Sequence, residues 1–278
     1  MKTFFCLLIF FQSKYITVVD SETNKPIPFV SFTGIHDHKG GYANENGVVF
    51  LTGNITQSFI ISCVGYASDT FNIKKDTIQL KPLVIDLPTV QVVAKKTKFK
   101  SKELGFFKKN SWISWAIQEK SEFYIFISNP DTAIKWQIKS IKIAVSGYRK
   151  KKFESFKIRP ILKDVSERKP NKDLLINNII VDVYKGQKFA IIELAEPIIL
   201  PKGGCFVGFE AIGYSNKVNE FVPYSDFIKI PSDENVAISI PLVKSNTTTI
   251  FRTRNGKYWF GSDNDSHNAF AFGMEVLY

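Results

Sequence analysis

The chain has 278 residues but only three cysteines, three histidines and two methionines. Each scarcity removes a class of chemistry. Cys6, Cys63 and Cys205 form no Cys-x-x-Cys metal spacing, and a chain of this length needs no disulfide scaffold to hold its core. Cys63 and Cys205 each lie in an apolar stretch, where a free thiol behaves as a small buried hydrophobe. The histidines are His36, His38 and His267, which leaves few bases for a serine or cysteine nucleophile. No Gly-x-Ser-x-Gly occurs either. In a strand, His36 and His38 would share a face and could touch a metal. No glutamate stands at the spacing of a zinc-protease helix, however, and His36-Asp-His-Lys-Gly-Gly41 reads as a polar, glycine-rich loop. Lys202-Gly-Gly204 follows Pro201 as a hairpin turn and lacks the Gly-Lys-Ser/Thr of a phosphate loop. Asp263-Asn-Asp-Ser-His-Asn268 offers oxygen ligands at alternate positions, but the glycine and distal glutamate of a calcium loop are missing. A polar turn is the expectation there. The sequence therefore nominates no catalytic residue, no metal site and no cofactor.

Long apolar runs are scarce too. No window carries a sustained helical stripe, and none reaches the roughly 20 residues of a membrane-spanning helix. Met1-Lys-Thr-Phe-Phe-Cys-Leu-Leu-Ile-Phe-Phe11 has a basic start and a short apolar core. Residues 1–13 are expected to be a secretory signal peptide, although Phe11 stands where a small residue is preferred before cleavage. A buried first strand is the alternative. Export to the periplasm, outer membrane or cell surface follows, with no transmembrane span in the mature chain.

The net charge is +11. Residues 95–109 carry seven lysines and one glutamate, and Arg149-Lys-Lys-Lys152 adds four charges, so two short stretches hold +10 of the total. The remainder is nearly neutral. No basic face with a recognisable module remains, which excludes nucleic acid as a partner. The two stretches read as a solvated linker and a solvated hairpin tip, with an anionic surface as the other possibility.

What is abundant is phenylalanine, at 25 residues. With isoleucine and valine it favours pleated, half-buried surfaces, and the expected fold class is all-β. The densest pattern lies between Tyr15 and Ala94. Asp20-Ser-Glu-Thr-Asn-Lys-Pro-Ile-Pro-Phe-Val-Ser-Phe32 reads as a strand end, a turn at Asn24-Lys25-Pro26, and a new strand in which Ile27, Phe29 and Ser31 alternate with Pro28, Val30 and Phe32. Asn44-Glu-Asn-Gly47 is a second turn in which Gly47 supplies a positive φ, leading into Val48-Val-Phe-Leu51. Ser62-Cys-Val-Gly65-Tyr66 closes a third strand, and Ile78-Gln-Leu80 and Val90-Gln-Val-Val93 give two more.

Val19-Asp20, Thr23, Pro26-Ile-Pro28, Asn44-Glu-Asn-Gly47, Gly65-Tyr66 and Leu87-Pro-Thr-Val-Gln-Val-Val93 together resemble the carboxypeptidase-like regulatory domain. That family is a small transthyretin-like β-sandwich found at the start of Bacteroidota surface proteins. The resemblance implies an accessory, non-hydrolytic domain over residues 14–94. This sequence departs from the family at Ile16, where a glycine is usual. Larger relatives continue into a barrel transporter, for which the remaining chain is too short.

Residues 110–278 carry about ten further strands separated by turns, the pattern of a second sandwich or barrel. They include 123–128, 138–145, 153–162 (with Pro160 marking an edge), 174–183, 189–194 and the apolar 205–212. The turn Lys169-Pro-Asn-Lys-Asp-Leu-Leu175 and the strand Gly204-Cys-Phe-Val-Gly-Phe-Glu210 resemble jelly-roll-like domains. The expected order is thus a signal peptide (1–13), a small transthyretin-like β-sandwich (14–94), a basic linker (95–109) and a larger jelly-roll-like sandwich (110–278).

The expected function is an exported, non-enzymatic cell-envelope protein that acts as a binding or assembly module for an unknown protein or glycan. The alternatives are a carbohydrate-binding accessory module of a glycan-degradation system and a hydrolase with an unrecognised site. Jelly-roll domains bind sugars on exposed aromatic faces. Adjacent Tyr258 and Trp259 point to opposite faces of a strand, so one is expected to face away from the core. With Arg252, Asn255 and Asp263 they form the candidate ligand-binding set. Core roles are the competing expectation for them and for Trp112, Trp115 and Trp136.

Overall fold

The computed structural model describes residues 13–53, 58–72, 74–83, 99–107, 114–116, 121–145, 155–184, 186–216, 218–229, 239–245, 247, 249–252, 258–260 and 268–278. Among the described residues every regular element is a strand, so the fold is all-β. The expected leader apart from Ser13, the strand 90–93 and the Arg149–Lys152 tip lie outside these residues.

The N-terminal part contains β1 (Ser13–Asp20), β2 (Ser31–Gly34), β3 (Gly40–Tyr42), β4 (Val48–Thr52), β5 (Ser58–Ser62), β6 (Asp69–Asn72) and β7 (Thr77–Leu80). They build two sheets, ordered β4-β1-β7 and β3-β2-β5-β6. Strand side chains alternate between faces. Ile16 and Val18 of β1, Val49 and Leu51 of β4, Phe32, Phe59 and Ile61 thereby meet in one buried core. The turns form as the sequence predicts. One Asp20 carboxylate oxygen accepts the amides of Glu22 and Thr23, both at 2.8 Å, which closes the turn before Pro26. Gly47 has φ +69°, and a Cβ there would sit 2.9 Å from the carbonyl oxygens of Val18 and Ile27. Ile16, standing where the resembled family has glycine, is fully buried in β1 and fills this core.

One expectation fails locally. The strand after the first turn begins at Ser31 rather than Ile27, because Phe29 turns the chain at φ 58°. Alternation read from the sequence cannot detect a single residue in the left-handed region, which is rare for a bulky side chain.

The remainder contains β8 (Ser101–Gly105), β9 (Ser114–Ala116), β10 (Glu122–Ile127), β11 (Gln137–Ala144), β12 (Ser155–Ser166), β13 (Lys169–Asp173), β14 (Val181–Tyr184) and β15 (Phe189–Ile199). It continues with β16 (Cys205–Ser215), β17 (Phe221–Pro223), β18 (Ser239–Lys244), β19 (Thr249–Arg252), β20 (Tyr258–Phe260), β21 (Asn268–Phe270) and β22 (Phe272–Leu277). An eight-stranded sheet follows the path β13-β12-β16-β10-β19-β20, with β14 beside β12 and β17 beside β16. A four-stranded sheet, β15-β11-β22-β8, and a three-stranded sheet, β21-β18-β9, accompany it. Phe209 of β16 meets Phe272 of β22 edge-on at 5.5 Å, and Phe123 of β10 meets Phe270 of β21 at 5.3 Å. These rings stitch the sheets into one core. Every residue of β16 is buried, as its strongly apolar sequence predicts for a central strand, and Glu210 within it is buried too.

Four readings change here. Residues 101–105, inside the expected linker, are strand β8 and pair with β22 from Ser101↔Leu277 to Gly105↔Gly273. Lysine density hides a strand that exposes its charges at an edge. The expected turn at 169–175 is largely strand β13. The turn itself is Glu167-Arg168, with φ 50° and 61°, the two-residue hairpin geometry that follows the sheet's twist. The expected strand 174–183 is ordered as a strand only from Val181. Finally, Pro160 is not in an edge strand. It pairs with Phe209 of β16, while on the other side β14 reaches only Ile158 and β13 starts only at Lys163. Proline, having no N–H, occupies the strand where that second ladder is interrupted.

Candidate functional site

A row of polar residues crosses the eight-stranded sheet at one level. The register sets Arg159 of β12 opposite Glu210 of β16, Glu210 opposite Glu122 of β10, Glu122 opposite Arg252 of β19, and Arg252 opposite Tyr258 of β20. Charged groups buried on a sheet require partners, since an isolated ion loses its hydration on burial. Arg159 is 4% exposed and Glu210 is 9% exposed, and they meet at 2.6 Å between Nη1 and Oε2.

The N-terminal part closes over this end of the row. The Tyr42 hydroxyl donates to Glu210 Oε1 at 2.7 Å. Arg159 donates through Nη2 to the Phe29 carbonyl oxygen and through Nε to Asn178 Oδ1 at 2.8 Å. Asn178 in turn donates to the Pro28 carbonyl at 3.0 Å. Nearby, Lys157 bridges Asp182 at 3.0 Å and Glu45 at 3.6 Å. At its open end the row continues through Glu122, half-buried, whose carboxylate accepts the Tyr124 hydroxyl.

The electrostatics follow from burial and pairing. Burial works against the Arg159 charge, but Glu210 and the other negative or polar neighbours outweigh it and hold the guanidinium above its ordinary pKa. Burial, then the Glu210 carboxylate, pushes the Tyr42 phenol well above its usual value. Cys63 lies close by, and burial raises its thiol to about 11. The Arg159 guanidinium therefore stays charged and Tyr42 stays a donor. The arrangement binds two parts of the chain together and offers no activated nucleophile.

Two further contacts complete the junction. The edge strand β3 forms an antiparallel bridge between Gly41 and Ser225. Gly65, at φ +86°, lets the Ile176 carbonyl approach to within 2.4 Å of where a Cβ would stand. Ile176 belongs to the 174–180 segment that separates β13 from β14.

The residues nominated from sequence divide as follows. Arg252 and Tyr258 face each other in the β19–β20 register, and Trp259 lies opposite Phe251. Asn255 and Asp263 fall outside the described residues, as do Trp112 and His267. Trp136 is core: it is 4% exposed, donates from Nε1 to the Asp131 carbonyl at 2.9 Å, and packs 4.6 Å from the Tyr278 ring. Trp115 pairs with Ile240 in the β9–β18 register. His36 and His38 occupy an exposed turn between β2 and β3. Among the described residues no group of three His, Cys, Asp or Glu could hold a metal. Cys63 and Cys205 are buried free thiols, as expected.

Sequence reasoning missed Arg159, Glu210 and Tyr42. The available signal was a charge inside an apolar run, in Phe156-Lys-Ile-Arg-Pro-Ile-Leu162 and in Phe206-Val-Gly-Phe-Glu-Ala-Ile212, since unpaired Arg and Glu are almost never buried. Comparison with protein-family models, with curated proteins and with solved structures returns no match.

Proposed function

We propose that this chain is an exported, non-enzymatic protein of the cell envelope that works as a binding or assembly module, with its N-terminal part a carboxypeptidase-like regulatory domain. The observation that supports this reading is the junction itself. Both Glu210 oxygens are engaged, one by Arg159 and one by Tyr42, so the converging ionisable groups serve cohesion. Such a joint presents the two sandwiches as one rigid surface. The test is fractionation of cells that make the protein natively, with mass spectrometry of its N-terminus. An envelope protein beginning near residues 13–15 is expected. Recovery of intact Met1 in the cytoplasm overturns the reading.

A carbohydrate-binding role is the second reading, favoured by the register that sets Arg252 beside Tyr258 and Glu122. Sugars take an aromatic platform with planar polar partners. Glycan-array screening with Tyr258→Ala and Trp259→Ala tests it. Loss of a stacking contact of about 1 kcal/mol weakens binding several-fold. Unchanged glycan binding by both folded variants removes the site.

A further inference from the structure

The two parts of the chain exchange aromatic side chains across their junction. Phe29 and Tyr42, from the N-terminal part, are buried in the core of the remainder. Phe227, from the remainder, packs against the N-terminal core, its ring 6.0 Å from Phe32 and 6.1 Å from Phe59.

Residues 221–227 carry the second insertion and are held at both ends. β17 pairs with the central strand β16 from Ser215↔Phe221 to Gly213↔Pro223. The Tyr224 amide donates to the Ile212 carbonyl at 2.9 Å, and the Tyr224 side chain is buried in the larger core. Its carbonyl, however, accepts the Tyr42 amide at 3.1 Å, and the Asp226 amide donates to the Gly40 carbonyl at 2.9 Å. The Gly40 amide donates to the Asp226 carboxylate at 2.8 Å, and Thr52 Oγ1 donates to the Phe227 carbonyl at 3.3 Å. Gly41 is fitted to the same contact, since a Cβ there would stand 2.6 Å from the Ser225 Cα. Tyr224 thus gives its N–H to one sheet and its C=O to another. Three extended residues reach only about 10 Å, so the step from Tyr224 to Phe227 leaves no slack with which the two cores could part.

Without these contacts the N-terminal part is poorly equipped to stand alone. Its strands lie between Ser13 and Leu80, and domains that short bury too little surface to be more than marginally stable. β3 would be an open edge, and Phe29 would hold its left-handed φ without the bond from Arg159.

We infer that residues 221–227 are a strap that makes folding of the N-terminal sandwich conditional on the rest of the chain, so that the two sandwiches form and open as one cooperative unit. A rigid joint links modules that are already folded; the strap decides whether the first of them folds. Domains ordinarily fold as units in the order of their synthesis. Here the sandwich made first waits for residues 224–227, a contact of high sequence separation. This dependence is independent of where the cell places the protein, so it and the export reading fail separately.

The test is native-state hydrogen exchange on the full chain, read at amides of β1, β2 and β5 and at amides of β10 and β16. Both groups are expected to share one opening with the same denaturant dependence. Phe227→Ala is expected to speed exchange in both groups together, by at least about tenfold. Phe227→Leu, which largely refills the space, is expected to speed both by a smaller common factor, and it carries the comparison if the alanine variant does not fold. Pulse labelling during refolding of the unaltered chain reads the order of events. Protection of β1, β2 and β5 is expected no earlier than protection of the Tyr224 and Asp226 amides. Earlier protection of those strands, or an opening that frees them while β10 and β16 stay closed, makes the N-terminal sandwich autonomous and overturns the inference. Unchanged exchange in both Phe227 variants overturns the strap.

Discussion

Arg159 donates a hydrogen bond to the backbone carbonyl of Phe29, 130 residues away in the chain. Phe29 itself holds φ at 58°. A non-glycine residue in the left-handed region costs about 1–2 kcal/mol, so it persists where its surroundings over-determine it. Here the Phe29 ring meets Phe221 edge-on at 5.1 Å while its carbonyl satisfies a buried guanidinium. The local strain of one module is thus balanced by the charge requirement of the other.

Removing one member of that ion pair should hurt more than removing it whole. Arg159→Met leaves Glu210 buried without its cation and is expected to cost about 3–5 kcal/mol. The combination Arg159→Met, Glu210→Leu and Tyr42→Phe removes the charges and the stranded hydroxyl together and should recover much of that loss. Urea unfolding midpoints compare the variants. A single Arg159→Met chain as stable as the parent contradicts the junction.

Ile16→Gly, which restores the residue usual in the resembled family, is expected to destabilise the N-terminal core. Ile16 is fully buried. Deletion of such a side chain leaves a cavity, and glycine adds backbone entropy, for a total of about 3–5 kcal/mol. Thermal melting with a probe in β1–β7 measures it. No change means that the cavity closes without cost.

The Asp20 turn gives an acid-side dependence. The Thr23 amide holds the carboxylate below its ordinary pKa, and the Glu22 amide and Tyr66 hydroxyl add to this while burial opposes it. A depressed folded-state pKa means stability that is complete above the unfolded value of about 3.9 and is lost as pH falls below it. Asp20→Asn should remove that contribution, lowering stability near neutrality and flattening the acid limb of the pH–stability curve. An unchanged acid limb in the variant assigns the dependence to other carboxylates.

Burial lifts the Cys63 thiol to about 11 and the Cys205 thiol to about 12. Thiolate is the reactive species, so both should resist iodoacetamide at pH 8 in the native chain and react in denaturant. Peptide mapping reads each site separately. Their raised pKa values also mean that the folded form gains over the unfolded only below the ordinary thiol pKa, and loses that gain as pH rises towards 11.

Lys102 lies in β8, paired with Val276. Tryptic cleavage after Lys102 should therefore lag behind cleavage at exposed loop lysines, because a protease needs an opened backbone. A first cut after Lys102 in the native chain would mean that β8 opens independently of β22.

The all-β class and most strands were legible in the sequence because they depend on local quantities. Phenylalanine-rich alternation, the Asn44–Gly47 turn and the strongly apolar run of β16 act within a few residues of themselves. The errors at Phe29, Lys102 and Leu174 mark where local preference yields to a distant partner: the Arg159 guanidinium, strand β22 and the N-terminal sandwich. The nominated aromatic set was read from neighbours in sequence, which brought Arg252, Tyr258 and Trp259 to one pair of strands. The polar row could not be read that way. Arg159, Glu210, Glu122 and Arg252 come from four strands, and only sheet order and register set them at one level. By itself the sequence determined which segments pleat and where they turn, since side-chain alternation and turn stereochemistry are local. The tertiary structure alone decided which charges are buried and which edge is occupied, because a buried ion or an unpaired strand edge is satisfied by whatever part of the chain the fold brings to it.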